Sequence, residues 1–248
     1  MDRTEYEIMY RLEDDYWWYR GLHELLLSFL NGLSRAGAPV RVLDAGCGTG
    51  RFLECCAGHS VQGVEISEEA LEFVRSRGLD CAIQGSVCAL PFEDQTFECV
   101  VSADVLCHMG APQDMKALEE MRRVLKKGGT LLLHLPAHPF LSSRHDRAVH
   151  NLRRYRKAEA RSMLAQAGFE IQRLTYRNTA LFPPAAMVRA LGKIGLGGKE
   201  KPKSDLTRLP DPLNRLLTGI LRMENRLLRS GVDLPFGLSI FCVARRPG

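Results

Sequence analysis

The stretch Val42-Leu43-Asp44-Ala45-Gly46-Cys47-Gly48-Thr49-Gly50 decides how the surrounding chain is interpreted. A short apolar run reaches Ala45, three alternating glycines follow, and a helical pattern begins at Arg51. Short apolar runs of this kind are typical of buried parallel strands. Glycine permits sharp turns and lets the backbone approach a ligand closely. The stretch therefore predicts a strand, a ligand-binding loop and a helix in succession.

The same alternation of strand and helix continues along the chain. Further strands are predicted at 61–65, 81–84, 98–103, 130–135 and 169–176, with a last one at 238–244. Helical patterns separate most of them, and this alternation predicts a parallel sheet covered by helices. Two more helical patterns occupy residues 180–230, on either side of a linker rich in glycine and lysine at 195–203.

Glu65 ends the second predicted strand, 21 positions after Asp44. In a doubly wound sheet this position faces the crevice at the carboxyl ends of the strands, where a carboxylate can accept both hydroxyl protons of a ribose. A dinucleotide loop has the spacing GxGxxG and receives a pyrophosphate. Here the spacing is GxGxG, and Asp44 precedes it by two residues. An acid there repels a pyrophosphate but attracts an amino group, which favours S-adenosylmethionine (SAM) over NAD.

These residues belong to a wider set of motifs. The sequence resembles class I, Rossmann-like SAM-dependent methyltransferases of the small-molecule type. The family motifs VLDxGCGTG, LPF, FDxVxxxxVLxH and LKPGG correspond to residues 42–50, 90–92, 97–108 and 125–129. The resemblance covers about residues 38–176 and the last strand. It implies a seven-stranded α/β sheet with six parallel strands, an antiparallel last strand and helices on both faces.

The resemblance also implies a cofactor site. Asp44 and the glycine loop would hold the methionine part of SAM, Glu65 the ribose, and Ile66 would pack on the adenine. Ser86 stands where the family commonly has an aspartate, so its contact with the adenine amino group would be weaker. Arg20, next to a predicted aromatic lid, is a candidate for the SAM carboxylate. The predicted cofactor residues are Arg20, Asp44, Gly46, Cys47, Gly48, Glu65, Ile66, Ser86, Val87, Ser102 and Ala103.

The methyl acceptor is expected beyond the carboxyl ends of strands four and five. A base is needed there only if the attacking atom must lose a proton. Residues 145–157 carry two histidines, four arginines and a lysine, which suits a phosphate or carboxylate; a solvated loop is the alternative. His108 is either a base or a polar residue that closes the site. The predicted catalytic residues are His108, His145, His150 and Tyr155, and the predicted acceptor-binding residues are Trp18, Tyr19, His138, Arg153 and Arg154.

Composition excludes other classes of protein. The 248 residues are 45% hydrophobic and 25% charged, with a net charge of +5, which excludes wholesale disorder. The longest apolar runs fall well short of a membrane span, and the first residues do not resemble a secretion signal. Eight cysteines occur without a CxxC pair. We therefore expect reduced thiols, a cytoplasmic location and no metal site.

The predicted domains are an N-terminal helical lid (1–37), a SAM-binding core (38–176), a helical cap (177–236) that roofs the acceptor pocket, and a final core strand (237–248). The last helical pattern carries Arg215, Arg222, Arg226 and Arg229, so it is either a cap or a peripheral contact with an anionic membrane. We expect a small acceptor, for which anionic and lipid-linked metabolites are the candidates, and no nucleic acid; the oligomeric state is open. The alternatives are a NAD-dependent oxidoreductase, an RNA methyltransferase and a non-catalytic SAM-binding protein.

Overall fold

A computed structural model describes residues 2–34, 37–142, 146, 149–193 and 207–248. Seven strands and eight helices are found in these residues. The strands are β1 (Arg41–Ala45), β2 (Ser60–Glu65), β3 (Ala82–Gln84), β4 (Phe97–Ala103), β5 (Leu125–Pro136), β6 (Glu170–Arg177) and β7 (Ser239–Arg245). The helices are α1 (Arg3–Leu12), α2 (Trp17–Asn31), α3 (Arg51–Cys55), α4 (Glu68–Ser76), α5 (Ala111–Val124), α6 (Lys157–Gln166), α7 (Phe182–Lys193) and α8 (Asp211–Arg229).

The strands form one sheet in the order β3-β2-β1-β4-β5-β7-β6. β7 lies between β5 and β6 and runs antiparallel to both, while the other neighbouring pairs are parallel. The strand order changes direction at β1, because β2 and β3 lie on one side of β1 and the later strands lie on the other side. Ligands of open α/β sheets bind at such switch points, outside the carboxyl ends of the strands. The predicted sheet is confirmed.

Apolar side chains form a layer on each face of the sheet. One layer packs α5 and α6 against β4 and β5 through Leu118 and Leu164, which are fully buried. The other packs α2 and α8 against the opposite face through Leu25, Leu228 and Phe241. These two apolar layers hold the helices against the sheet, and the glycine loop and Glu65 lie at the carboxyl edge between them.

The start of β5 differs from the prediction. The strand begins at Leu125 rather than at residue 130, so the basic turn and Gly128 belong to it. Gly128 N donates to the carbonyl of Arg246 at 2.9 Å, and Arg246 N donates to that of Gly129 at 2.9 Å. The extension is therefore stabilised by backbone pairing with the C-terminal segment, a contact that local sequence does not reveal.

α8, the second helix of the predicted cap, packs along α2. A Cβ on Gly21 would lie 2.5 Å from Leu221 Cδ1, so the two helices approach closely. Asn225 Nδ2 donates to the carbonyl of Gly21 at 2.8 Å. α8 thus covers the sheet face, and the cap approaches the carboxyl edge through the start of α7. The predicted linker at 195–203 lies outside the described residues.

Among the described residues, no helix is both long and apolar enough to cross a bilayer.

Candidate active site

The glycine loop lies directly beyond β1. Gly46 and Gly48 have φ values of 92° and 54°, in the left-handed region that favours glycine. The backbone N–H groups of Gly46 and Cys47 both donate to the carbonyl of Val64, at 2.8 and 3.0 Å. A Cβ on Gly46 would lie 2.4 Å from Val105 Cγ2. The loop is therefore held tightly between β2 and the segment after β4.

Glu65 ends β2 beside this loop and is buried. Its Oε2 accepts from Gly48 N at 3.0 Å and its Oε1 accepts from Ser67 N at 3.0 Å. A carboxylate oxygen has two lone pairs, so these two bonds leave capacity for further donors, and the Tyr6 hydroxyl is one donor that already faces the carboxylate. The pair of hydroxyl groups on a ribose matches this remaining capacity.

Ile66 follows Glu65 and is 69% exposed. Ser86 and Val87 lie nearby, because Gly85 N donates to the carbonyl of Glu65 at 3.0 Å. Ser86 Oγ is already used locally as an acceptor for Cys88 N, at 3.2 Å. An exposed isoleucine beside a carboxylate with free lone pairs fits an adenosine, whose base would cover the apolar surface.

Asp44 is almost completely buried, next to β4. Burial, and then the negative charges of Glu65 and Glu13, raise the pKa of Asp44 to about 7. Ser102 Oγ donates to the carbonyl of Ala45 at 3.1 Å, which ties the ends of β1 and β4 together. The predicted cofactor residues of the loop, β2, β3 and β4 therefore lie along one edge of the sheet. Their individual contacts with SAM stay predictions.

α1 covers this edge. Tyr6 is buried beside Glu65, and burial together with that carboxylate raises the pKa of Tyr6 to about 12. Met9 Cε lies 2.9 Å from where a Cβ on Gly48 would stand. After the end of α1, Glu13 accepts hydrogen bonds from Thr49 Oγ1 and, at 2.8 Å, from Arg77. Sequence reasoning placed a lid here but missed these contacts, since nothing local marks Glu13 as a partner of Arg77.

The aromatic start of α2 lies at the ends of β5 and β6. The ring of Trp18 is edge-on to His134 at 6.1 Å between centroids. Burial, followed by the charges of Glu13 and Asp104, raises the pKa of Tyr19. Arg20 is half-buried, on the side of α2 away from the buried Leu22. The structure shows no ion pair between Arg20 and another described residue, and its contact with the SAM carboxylate stays a prediction.

His108 and His150 lie together at the opening of the site. His108 Nδ1 is 3.1 Å from the carbonyl oxygen of His150. His150 Nε2 is 3.7 Å from Asp2, next to the start of α1. Burial lowers the pKa of His108, so its ring is neutral near neutral pH. A catalytic role for either histidine stays a prediction, and His145 lies outside the described residues.

Three residues of the basic segment 145–157 that were predicted to act in catalysis or acceptor binding are hydrogen-bonded to buried acids. Tyr155 is fully buried and its hydroxyl donates to Asp114 at 2.9 Å. Arg153 donates to the same carboxylate at 2.8 Å, and Arg154 forms a buried two-point pair with Asp146, at 2.7 and 3.1 Å. The structure therefore argues against a catalytic Tyr155 and against free anion-binding groups at Arg153 and Arg154. The excess of positive charge in the sequence is neutralised by acids that fold against it.

His138 lies near the ends of β5 and β6, at an apolar cavity. Its ring stacks on Tyr176 with centroids 5.1 Å apart. The cavity has a volume of about 360 Å³ and is also lined by Phe140, Arg156 and Lys157. Burial lowers the pKa of His138. Its predicted role in acceptor binding is untested.

Sequence reasoning assigned no function to three polar residues near the same edge, the partly exposed Asp104 and the fully buried His134 and Arg177. Asp104 follows β4, and its Oδ1 is 3.0 Å from Nδ1 of His134 on β5. Arg177, the last residue of β6, is fully buried. Their positions at strand ends were the available signal, but burial made a structural role the default for His134 and Arg177. In the described part of the chain, no group of three or more His, Cys, Asp or Glu side chains could hold a metal ion.

Comparison with known proteins identifies this arrangement. Residues 43–133 match the family model described as a methyltransferase domain. The fold matches a crystal structure of a SAM-dependent methyltransferase from Thermotoga maritima, with a TM-score of 0.60 and 20% identity, over 98% of this chain and 95% of that one. Residues 43–133 therefore form a methyltransferase domain, and the chain has the fold of class I SAM-dependent methyltransferases. The matched region spans β1 to β5 and contains the glycine loop, Glu65 and Asp104.

Curated relatives share this methyltransferase domain but differ in acceptor. A malonyl-[acyl-carrier protein] O-methyltransferase from Erwinia pyrifoliae is 41% identical over 103 residues, 40% of this chain and 38% of the relative. Squalene methyltransferase 1 from Botryococcus braunii is 36% identical over 119 residues, 44% of this chain and 30% of the relative. The chain thus spans less than half the length of these relatives.

Proposed function

We propose that this protein transfers the methyl group of SAM to a small acceptor, by in-line displacement, in the cytoplasm. One observation carries the proposal. The Glu65 carboxylate keeps acceptor capacity beyond its two backbone hydrogen bonds, next to the exposed Ile66 and the backbone of Gly48. An acceptor-only pair of oxygens beside an uncovered apolar surface matches a ribose and its attached base.

The residues of this chain would bind and orient the reactants. SAM supplies an activated methyl group on its sulfonium when it is bound. Glu65 would accept from the ribose hydroxyls, and ionised Asp44 would attract the positively charged methionine end. Tyr6 and Met9 cover the loop, so α1 would move to admit SAM and then exclude water from the sulfonium.

The test is calorimetric titration of SAM into Glu65→Ala. We expect affinity to fall by roughly 1.5–3 kcal/mol, because hydrogen bonds to a charged group are lost. Glu119→Ala, at an exposed position on α5, is the matched control and should bind SAM like the unmodified protein. Unchanged affinity in Glu65→Ala would remove the basis of the proposal.

The ligands that the protein binds distinguish the three alternative functions. NAD binding without SAM binding would favour an oxidoreductase, although buried Asp44 in front of the loop disfavours a pyrophosphate. RNA binding that weakens steeply with salt would favour an RNA methyltransferase. SAM binding without release of S-adenosylhomocysteine, across a screen of polar metabolites and prenyl-linked phosphates, would indicate a non-catalytic protein.

The acceptor is proposed to be anionic or lipid-linked. The relative from Erwinia acts on a malonyl group carried by an acyl carrier protein, and the relative from Botryococcus acts on squalene. These names support a carbonyl- or lipid-type acceptor without deciding between them. Arg153 and Arg154 no longer support an anionic acceptor, since both are paired with acids.

A further inference from the structure

Arg177 is a fully buried cation without a hydrogen-bond partner. It ends β6, and none of Nε, Nη1 and Nη2 contacts an acceptor on any described residue. The nearby acid Glu224 accepts from the backbone of Asn178 and, at 2.8 Å, of Thr179, and it acts on Arg177 through its charge rather than through a hydrogen bond. The guanidinium carbon of Arg177 lies 5.8 Å from the ring centroid of Trp18.

A charge in this position is costly. Burial lowers the pKa of Arg177 to about 10, which still leaves the group protonated at neutral pH. Five N–H donors are therefore removed from water, and the group gains only the face of an indole and the charges of Glu224 and Asp104 at a distance. Buried charges in proteins are ordinarily paired, and an unpaired one destabilises the fold. A bound anion would supply the missing acceptors.

A second unpartnered group lies against the same indole. His134 is fully buried, and its Nε2 contacts no donor or acceptor on a described residue. Its Nδ1 faces the carboxylate of Asp104, so a neutral ring carries its proton on Nδ1 and leaves Nε2 as an acceptor. Asp104 is 32% exposed, which connects this pair of residues to the open cleft.

The position of His134 suits the binding of a methyl acceptor. His134 is paired in register with Ala103, and Ala103 ends the strand next to β1 and its glycine loop. Trp18 is half-buried, and it separates solvent from both His134 and Arg177. A rotation of the Trp18 side chain would open the space that both groups face.

We propose that Arg177 and His134, beneath Trp18, form the acceptor subsite, which takes a small carboxylate or phosphate that also carries an O–H or N–H group. The anion pairs with the guanidinium of Arg177, and the O–H or N–H donates to Nε2 of His134. This assignment rests on the proposed methyl-transfer function and specifies its substrate class. It replaces Arg153 and Arg154 as the source of anion recognition.

The first experiment measures the melting temperature (Tm) of the full chain with simple probes. We expect 100 mM lactate to raise Tm by about 2–4 °C over sodium chloride of equal ionic strength, and propionate, which lacks the hydroxyl, to raise it less. Inorganic phosphate is tested in the same way as a second anionic probe. Arg177→Met should abolish these shifts, and Arg161→Met, at an exposed site on α6, should retain them.

The ligand-free Tm of Arg177→Met separates a ligand site from a structural role. Removing an unpaired buried charge should leave Tm unchanged or raise it by about 2–6 °C, because the methionine fills the same space. A clear fall in Tm would show that Arg177 is satisfied within the protein and would overturn the proposal. Equal shifts with lactate and propionate would overturn the role of His134.

Titration with SAM distinguishes whether Arg177 binds a carboxylate of the acceptor or the carboxylate of SAM itself. If Arg177 binds the acceptor, Arg177→Met binds SAM with unchanged affinity. A loss of affinity for SAM of tenfold or more, with no loss for methylthioadenosine, which lacks the carboxylate, would assign Arg177 to the cofactor instead. If the unmodified protein binds no SAM, the proposed function fails; if SAM binds and no anion probe acts, only the subsite fails.

Discussion

Asp44 shows how a buried acid can control ligand binding. It lies at the carboxyl end of β1, where burial and the carboxylates of Glu65 and Glu13 oppose its ionisation. A pKa of about 7 means that the carboxylate forms only as pH rises to and beyond neutrality. A cationic ligand selects that ionised form, so binding and ionisation are coupled.

We therefore expect SAM to bind about tenfold more tightly at pH 8 than at pH 6, because the ionised fraction of Asp44 rises by about that factor. Calorimetric titration across this range measures the effect. Asp44→Asn should bind SAM more weakly and with a flatter dependence on pH. The same steep dependence in Asp44→Asn would assign the titration to another group.

At the scale of elements, α1 is fastened over the glycine loop by a buried ion pair. Glu13 and Arg77 lie 2.8 Å apart with side chains 5% exposed each, and Arg77 also stacks over Tyr10 at 4.6 Å. Burial raises the pKa of Glu13 although Arg77 and Thr49 stabilise its charge. Attraction to Glu13, Asp14 and Glu54 in turn raises the pKa of Arg77, so the pair is best described as a contact that holds α1 in position.

Arg77→Met leaves Glu13 buried and unpaired, and we expect a loss of about 3–5 kcal/mol in the free energy of unfolding. Urea denaturation measures this loss. Arg75→Met removes an exposed pair with Glu68 and should cost at most about 1 kcal/mol. The double variant Glu13→Leu with Arg77→Met should recover most of the loss, and failure to recover it would show that the ion pair itself stabilises the fold.

α8 divides its surface between α2 and solvent. Arg222 pairs with Glu24, and Arg229 donates to the carbonyl of Ser28, so one side of α8 packs on α2. On the outer side, Leu216 and Met223 are 61% and 66% exposed. Leu213 and Leu227 continue this apolar stripe at helical spacing. A peripheral membrane contact of α8 stays a proposal.

If the stripe meets lipid, the protein should sediment with vesicles of phosphatidylcholine and phosphatidylglycerol, and less with phosphatidylcholine alone. Leu216→Asp combined with Met223→Asp should abolish sedimentation, because it places charge in the apolar stripe. Leu152→Asp, at another exposed leucine, is the control and should sediment normally. Absence of sedimentation of the unmodified protein would assign the stripe to another contact.

At the scale of the whole molecule, the thiols are distributed through the core rather than paired. All eight cysteines are free, and five of them are buried. Burial raises the pKa of Cys242 to about 12, so this thiol is un-ionised at neutral pH. Un-ionised, inaccessible thiols react slowly.

We expect a thiol reagent to modify Cys55, Cys81 and Cys88 first, because these three are only partly buried whereas the other five cysteines are buried. All eight cysteines should react in guanidinium chloride, with the same total whether or not a reductant was used in purification. Tm should not change when dithiothreitol is added. Fewer than eight reactive thiols in the unfolded, unreduced protein would reveal a disulfide.

The sheet and the cofactor edge could be predicted because their signals are local. These signals depend on neighbours within about 25 residues. They are the periodicity of strands and helices, the glycines with positive φ, and an acid at the end of the next strand. Glu65 and Gly48 are hydrogen-bonded because β1 and β2 are adjacent parallel strands, which the strand–helix alternation already implies. The extension of β5 depended on the C-terminal segment and was missed.

The pairing of charges was decided only by folding. A row of arginines at 153–156 looks like an anion site in sequence, yet Asp114, 39 residues away, and Asp146 neutralise Arg153 and Arg154. Arg177 shows no special pattern, and yet its buried guanidinium has no hydrogen-bond partner among the described residues. Electrostatic energy depends on distance and on exclusion of water, and both are set by which elements pack together, so composition along the chain cannot supply them.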